Sequence, residues 1–126
     1  MTQRTILVVD DEPFICRSLT FILRKDNYRV IEARNGVEAL RVASAQLQRI
    51  SLVLTDLVMP MMGGRELATR LTAERRDLKV IYTSGYAADT LGPHAVLEPG
   101  ATFIQKPFTP TALGQTVRDV LDRPAH

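Results

Sequence analysis

The 126-residue sequence is poor in residues that several classes of site require. Its single cysteine, Cys16, excludes an internal disulfide. Its two histidines, His94 and His126, are interpreted as surface residues and not as part of a metal site or a catalytic triad. The glycines fall in isolated turns, so the sequence has neither a phosphate-binding P-loop nor a dinucleotide fingerprint.

Charge and hydropathy argue against nucleic-acid binding and against insertion in a membrane. Sixteen basic residues against 14 acidic ones, with no long basic cluster, argue against direct binding of nucleic acid. No signal peptide and no apolar run of membrane-spanning length is present, so we expect a cytoplasmic location without membrane insertion. A soluble module of a membrane protein would look the same. The length and the 45% hydrophobic content predict one globular domain over residues 1–126.

Short apolar runs alternate with amphipathic stretches along the chain. The runs predict five strands, at residues 6–9, 28–31, 52–55, 80–83 and 102–104. Between and after the strands, apolar residues at helical spacing predict four amphipathic helices. Their apolar faces are, in chain order, Ile15, Leu19, Ile22 and Leu23; Val37, Leu40, Ala43 and Leu47; Leu67, Ala68 and Leu71; and Leu113, Val117, Val120 and Leu121. A further short helix is expected within 87–100, and the last helix should begin with Thr109 as N-cap and Pro110 at its first position.

Strict alternation of strands and helices is typical of an α/β protein with a parallel sheet covered on both faces. The second strand is the most polar, which suits an edge strand. We therefore predict a flavodoxin-like, doubly wound (βα)5 fold with strand order 2-1-3-4-5 and a core of about residues 5–121.

Polar residues follow four of the five predicted strands: Asp10 and Asp11 the first, Asp56 the third, Thr83 with Ser84 the fourth, and Lys106 the fifth. Right-handed crossovers bring these strand ends to one edge of the sheet. The second strand, away from the expected crevice, ends in ordinary turn residues. The sequence thus predicts a shared polar site.

This set of side chains has a chemical meaning. Neighbouring carboxylates repel one another, which raises the pKa of at least one, and Mg²⁺ with its preference for oxygen ligands would relieve the repulsion. Asp56 could act as a nucleophile and form an aspartyl-phosphate, while Lys106 and Thr83 bind the phosphoryl oxygens. Other interpretations stay open: a helix cap for Asp10 and Asp11, a strand-ending turn for Asp56, a solvated Lys106, and simple β-propensity for Thr83.

Four segments in this order, 6–13, 56–60, 83–85 and 103–108, resemble the response-regulator receiver domain of two-component signalling. The similarity is greatest to receivers of hybrid sensor histidine kinases and to single-domain response regulators. The resemblance implies that Asp56 is the phosphoacceptor. It implies that Asp11, Asp56 and the backbone carbonyl of Val58 bind Mg²⁺ directly, with Asp10 bound through water. It also implies that Lys106 contacts the phosphoryl group and that the following peptide bond, to proline, is cis.

The resemblance also implies a conformational switch. Thr83 and Phe103 match the hydroxyl and aromatic pair through which receivers report phosphorylation, although tyrosine is also common where Phe103 stands. Ser84 is a candidate cofactor-binding residue beside Thr83. Gly92 and Pro93 interrupt the predicted fourth helix, which is part of the usual output and dimerisation face.

The implied function is a phosphorelay module that accepts a phosphoryl group from a histidine kinase or a histidine phosphotransfer domain. Such a module is not an enzyme acting on other substrates, since it catalyses only its own phosphorylation and dephosphorylation, and a weak homodimer is left open. A phosphatase of the haloacid-dehalogenase type is disfavoured, because it requires a second aspartate where Val58 stands. A pseudo-receiver that acts only through its surface is disfavoured by the complete set of acids, threonine and lysine.

Overall fold

The computed structural model describes residues 3–85, 97 and 101–124. Within these residues the chain forms one five-stranded parallel sheet in the order β2-β1-β3-β4-β5. The strands are β1 (Thr5–Val9), β2 (Arg29–Ala33), β3 (Ile50–Asp56), β4 (Lys79–Ser84) and β5 (Thr102–Gln105). The helices are α1 (Pro13–Lys25), α2 (Gly36–Ser44), α3 (Gly64–Glu74) and α4 (Pro110–Leu121), with a 3-10 turn at Leu47–Arg49.

The sheet is buried between two layers of helices because its central strands are apolar on both faces. Side chains of β1 and β3 alternate between the two layers. Ile6 and Leu54 pack with α1 and α4, whereas Leu7 and Val53 pack with α2 and α3. The strand order and the two helical layers confirm the predicted doubly wound fold.

Several boundaries differ from those expected. Strand β2 runs from Arg29 to Ala33, later than the predicted 28–31. Helix α2 ends at Ser44, and Leu47 instead begins the 3-10 turn, which still buries this side chain. Asp56 is the last residue of β3 and not the first after it, because its backbone still pairs with β4. The helix predicted within 87–100 lies outside the described residues, apart from residue 97.

The start of α4 is held by a side-chain cap, as predicted. The hydroxyl of Thr109 accepts a hydrogen bond from the Ala112 N–H at 3.0 Å, and Pro110 occupies the first helical turn. This cap satisfies one of the amide groups that have no partner inside the helix. It therefore stabilises the helix that follows Lys106.

We expect Thr109→Ala to lower the free energy of unfolding by about 1 kcal/mol, because it removes the acceptor for the Ala112 amide. Thr109→Ser keeps an acceptor and should stay close to the wild type. Urea unfolding of the three proteins measures the difference. Equal stability of the alanine and serine variants would contradict this role of the cap.

Candidate functional site

The carboxyl ends of β1, β3, β4 and β5 lie side by side at one edge of the sheet. Val9 pairs with Thr55, and Asp56 pairs with Thr83, so the residues that end these strands are neighbours. On the far side of β4, the Lys106 N–H donates to the Ser84 carbonyl at 2.7 Å. The predicted convergence of polar residues at this edge is therefore present.

Three carboxylates gather at this edge. Asp10 is fully buried, Asp56 is 8% exposed and Asp11 is exposed. One oxygen from each lies within 4.8 Å of the other two, a spacing that one cation could bridge. Hard carboxylate oxygens with one solvent-facing member suit Mg²⁺, which keeps several waters when it binds protein. The acidic cluster thus fits the predicted cofactor.

Asp10 connects the site to the start of α1. Its Oδ1 accepts from the Glu12 N–H at 2.9 Å, and its Oδ2 accepts from Lys106 Nζ at 2.8 Å. The N-cap of α1 is Glu12, whose side chain makes no capping hydrogen bond. Asp10 therefore has a turn-forming bond, but a helix-capping role does not account for its buried contact with the lysine.

Lys106 lies between the two buried acids. Its Nζ is 2.8 Å from Asp10 Oδ2 and 3.5 Å from Asp56 Oδ2. Burial would lower the pKa of Lys106, but the hydrogen bond to Asp10 and the charge of Asp56 outweigh it, so the pKa is raised. The Lys106–Pro107 peptide bond is cis, as the resemblance implied. Lys106 is thus a cation held inside the pocket, which excludes a freely solvated lysine.

The pKa of Asp56 is raised from 3.8 to about 6, chiefly because burial disfavours the charged carboxylate. The ammonium of Lys106 opposes this shift, and repulsion by Asp10 adds to it. A hydrogen bond from the Val58 backbone also favours the ionised form. The expected repulsion between carboxylates therefore contributes to the raised pKa of Asp56, but burial is the larger cause.

The remaining predicted side chains lie on β4 and β5, the strands that lead to this edge of the sheet. Thr83 and Ser84 are buried at the end of β4. Phe103 pairs with Tyr82 across β4 and β5 and is half-buried against a small cluster with Leu57. Sequence reasoning missed two contacts: the bond from the Val58 backbone to Asp56 and the preference of Lys106 for Asp10. Neither carries a sequence signal, because both depend on how the loops turn after the strands end.

The charge of Asp56 should make the metal-free protein less stable above about pH 6. The folded carboxyl has the higher pKa, so the folded state holds its proton longer, and stability falls as pH rises from about 4 to about 6. Asp56→Asn removes this effect and should raise the free energy of unfolding at pH 7 by roughly 1–3 kcal/mol, with little difference near pH 4.

Chemical denaturation with a chelator present, repeated from pH 4 to pH 8, measures that difference. Asp119→Asn, at an exposed position of α4, serves as the control and should show no such trend. A constant difference between Asp56→Asn and the wild type over this range would contradict the assignment of the shift to Asp56.

Comparison with known proteins gives a consistent family. The model of the response regulator receiver domain matches residues 6–118. The sensor kinase CckA of Brucella abortus is 34% identical over 94% of this chain, which spans 13% of that kinase. The receiver protein CpdR of the same organism is 38% identical over 84% of this chain and 87% of its own length.

A solved structure supports the same relationship. The response regulator TrrA from Thermotoga maritima, in complex with Mg²⁺ and BeF, is 30% identical, with a TM-score of 0.78 over 94% of this chain and 99% of its own. In the described part of this chain, no helix combines the length and the apolar character needed to cross a bilayer. The fold, the acidic pocket and these similarities show that the chain belongs to the response-regulator receiver domains of two-component systems.

Proposed function

We propose that Asp56 accepts a phosphoryl group from a phosphohistidine donor in a Mg²⁺-dependent reaction, and that this switches a protein-interaction surface. The observation that carries the proposal is the placement of the Asp56 carboxylate. It lies at the end of a buried strand, with an oxygen within 4.8 Å of oxygens from Asp10 and Asp11 and 3.5 Å from the Lys106 ammonium. A nucleophile, two further acids and one cation therefore share one pocket.

The chemistry of the transfer follows from these groups. A carboxylate oxygen of Asp56 attacks phosphorus, the P–N bond of the donor breaks, and its electron pair returns to the imidazole nitrogen. Lys106 already faces this carboxylate and can pair with a transferring phosphoryl oxygen. The hydroxyls of Thr83 and Ser84 are assigned to further phosphoryl or cofactor contacts. Hydrolysis of the acyl phosphate would return Asp56 to its starting state. Because both steps take place at Asp56, the proposed module catalyses only its own phosphorylation and dephosphorylation.

The cofactor assignment rests on the oxygen donors present. Asp10, Asp11 and Asp56 supply carboxylates, and the Val58 carbonyl is proposed as a further ligand. Bound Mg²⁺ would neutralise charge that develops on the transferring group. TrrA, solved with Mg²⁺ and BeF, shows that a receiver of this fold holds both.

The switch and the partners extend the same proposal. Phosphorylation is proposed to draw Thr83 toward the phosphoryl group and to turn Phe103 inward, which changes the adjoining surface. The donor is proposed to be a histidine kinase or a histidine phosphotransfer domain. We further propose that residues 5–121 act as one receiver domain in the cytoplasm. Homodimerisation stays a prediction.

Treatment with acetyl phosphate and Mg²⁺ should add one phosphoryl group to the intact protein, and Asp56→Asn should abolish the addition. Mass spectrometry measures the gain in mass, and lability to alkali identifies an acyl phosphate. Lys106→Arg should react more slowly, because the bulkier guanidinium cannot approach a single oxygen as the compact ammonium does. Omission of Mg²⁺ is the control. Unchanged modification of Asp56→Asn would contradict the proposal.

Helix α1 carries an exposed apolar residue beside the acids. Phe14, 78% exposed, lies in the first turn of α1, at the same sheet edge as Asp11. Phe21, 63% exposed, lies almost two turns further along this helix and away from that edge. A protein donor must cover the edge to reach Asp56, whereas a small donor need not. We propose that Phe14 contacts the protein donor.

Phe14→Ser should therefore slow transfer from a phosphohistidine protein at least tenfold, the loss expected for one well-packed interfacial aromatic. Its reaction with acetyl phosphate should be unchanged. Phe21→Ser is the matched control, because it removes a similarly exposed phenyl group from the same helix. Stopped-flow or gel-based transfer assays with both donors measure the rates. Equal transfer rates for the two variants would refute the contact.

A further inference from the structure

The backbone just after Asp56 is held by a side chain that the proposed reaction does not use. Thr55 is fully buried, and its hydroxyl donates to the Asp56 carbonyl oxygen at 3.0 Å. Successive side chains of a strand point to opposite faces, so Thr55 points away from the face that carries the Asp56 carboxylate. The hydroxyl therefore acts on the backbone of Asp56 and not on its carboxylate.

The same peptide group is fixed from its other side. The Leu57 N–H donates to the Thr83 carbonyl at 2.8 Å, and the Leu57 carbonyl accepts from the Gly64 N–H at 2.9 Å. The peptide that joins Asp56 to Leu57 is thus bonded through both its oxygen and its nitrogen. This leaves little freedom for the backbone rotation that would re-aim the Asp56 side chain.

Gly64 approaches the same carbonyl oxygen closely. A Cβ built on Gly64 would lie 2.3 Å from the Asp56 oxygen and 3.1 Å from the Leu57 Cα. Any side chain at this first residue of α3 would therefore push the strand end or the helix away. A glycine, otherwise unfavourable within a helix, is what this contact requires.

Threonine is not what packing alone would favour at position 55. The site is buried in a central strand, where isosteric and β-branched valine would fit without the cost of burying a hydroxyl. The hydroxyl is compensated by its bond to the Asp56 carbonyl. The structure therefore gives the hydroxyl of Thr55 one clear effect, the restraint of the residue that follows it.

We propose that Thr55 and Gly64 are positioning residues for Asp56, which hold its backbone so that the carboxylate faces Lys106 and Asp10. The inference rests on the proposed role of Asp56 as phosphoacceptor. A protein with a misplaced Asp56 carboxylate can still bind the donor, but the carboxylate oxygen then attacks phosphorus from a less favourable position. The maximal rate should therefore fall, while the concentration of donor at half-saturation stays nearly constant.

Thr55→Val removes the hydroxyl at constant shape and should lower the maximal rate of phosphorylation by acetyl phosphate about tenfold to a hundredfold at saturating Mg²⁺. Thr55→Ser keeps the donor and should react at nearly the wild-type rate. Gly64→Ala should lower the rate to a similar extent as Thr55→Val. Thr72→Val is the matched control, because it removes a hydroxyl that donates to the Ala68 carbonyl on α3.

Intact mass against time gives the rates, and thermal unfolding gives the folded fraction by which each rate is divided. A wild-type maximal rate for Thr55→Val overturns the proposal, as does an equal loss in Thr72→Val. If either Thr55→Val or Gly64→Ala fails to fold, the maximal rate of the other variant tests the proposal. Absence of phosphoryl uptake by the wild-type protein would contradict the proposed function itself. Normal uptake by the wild type and by all variants would contradict only the positioning role of Thr55 and Gly64.

Discussion

The ion pair between Asp10 and Lys106 is the contact on which the site depends. The lysine follows the last strand and the aspartate follows the first, so the pair joins two segments nearly a hundred residues apart in sequence at a distance of 2.8 Å. A fully buried carboxylate without a partner would be strongly unfavourable, and so would the ammonium. Each group offsets the cost of burying the other. Together they lie next to the carboxylate of Asp56.

This pair leaves the pocket short of positive charge. Among the described residues, three carboxylates face one ammonium when all three acids are ionised, which leaves two negative charges. A divalent cation would balance them, whereas a monovalent one would not. The pKa of Asp56 is raised mainly by burial, and repulsion by Asp10 adds to this shift. The excess of acids over the lysine therefore supports the need for a divalent cation such as Mg²⁺ in the proposed reaction.

Much of the fold and of the site could be predicted because both depend on the ends of apolar strands. The strands that lead to Asp10 and Asp56 are buried and leave no place for a charge in their interior, so these acids were expected at a strand end. Strand order then followed from the polar second strand. The side chain that each group binds could not be predicted, because the preference of Lys106 for Asp10 depends on loop geometry that short polar segments do not encode.

The backbone bonds around Asp56 suggest how the site and the switch are linked. The Leu57 N–H donates to the carbonyl of Thr83, so the peptide after the phosphoacceptor is bonded directly to the residue whose hydroxyl is proposed to move. Lys106 donates through its own N–H to the next carbonyl along, that of Ser84. Both polar groups that would contact the phosphoryl oxygens are therefore attached to the end of β4. A shift there would reach β5 and Phe103 through the ladder that pairs Tyr82 with Phe103.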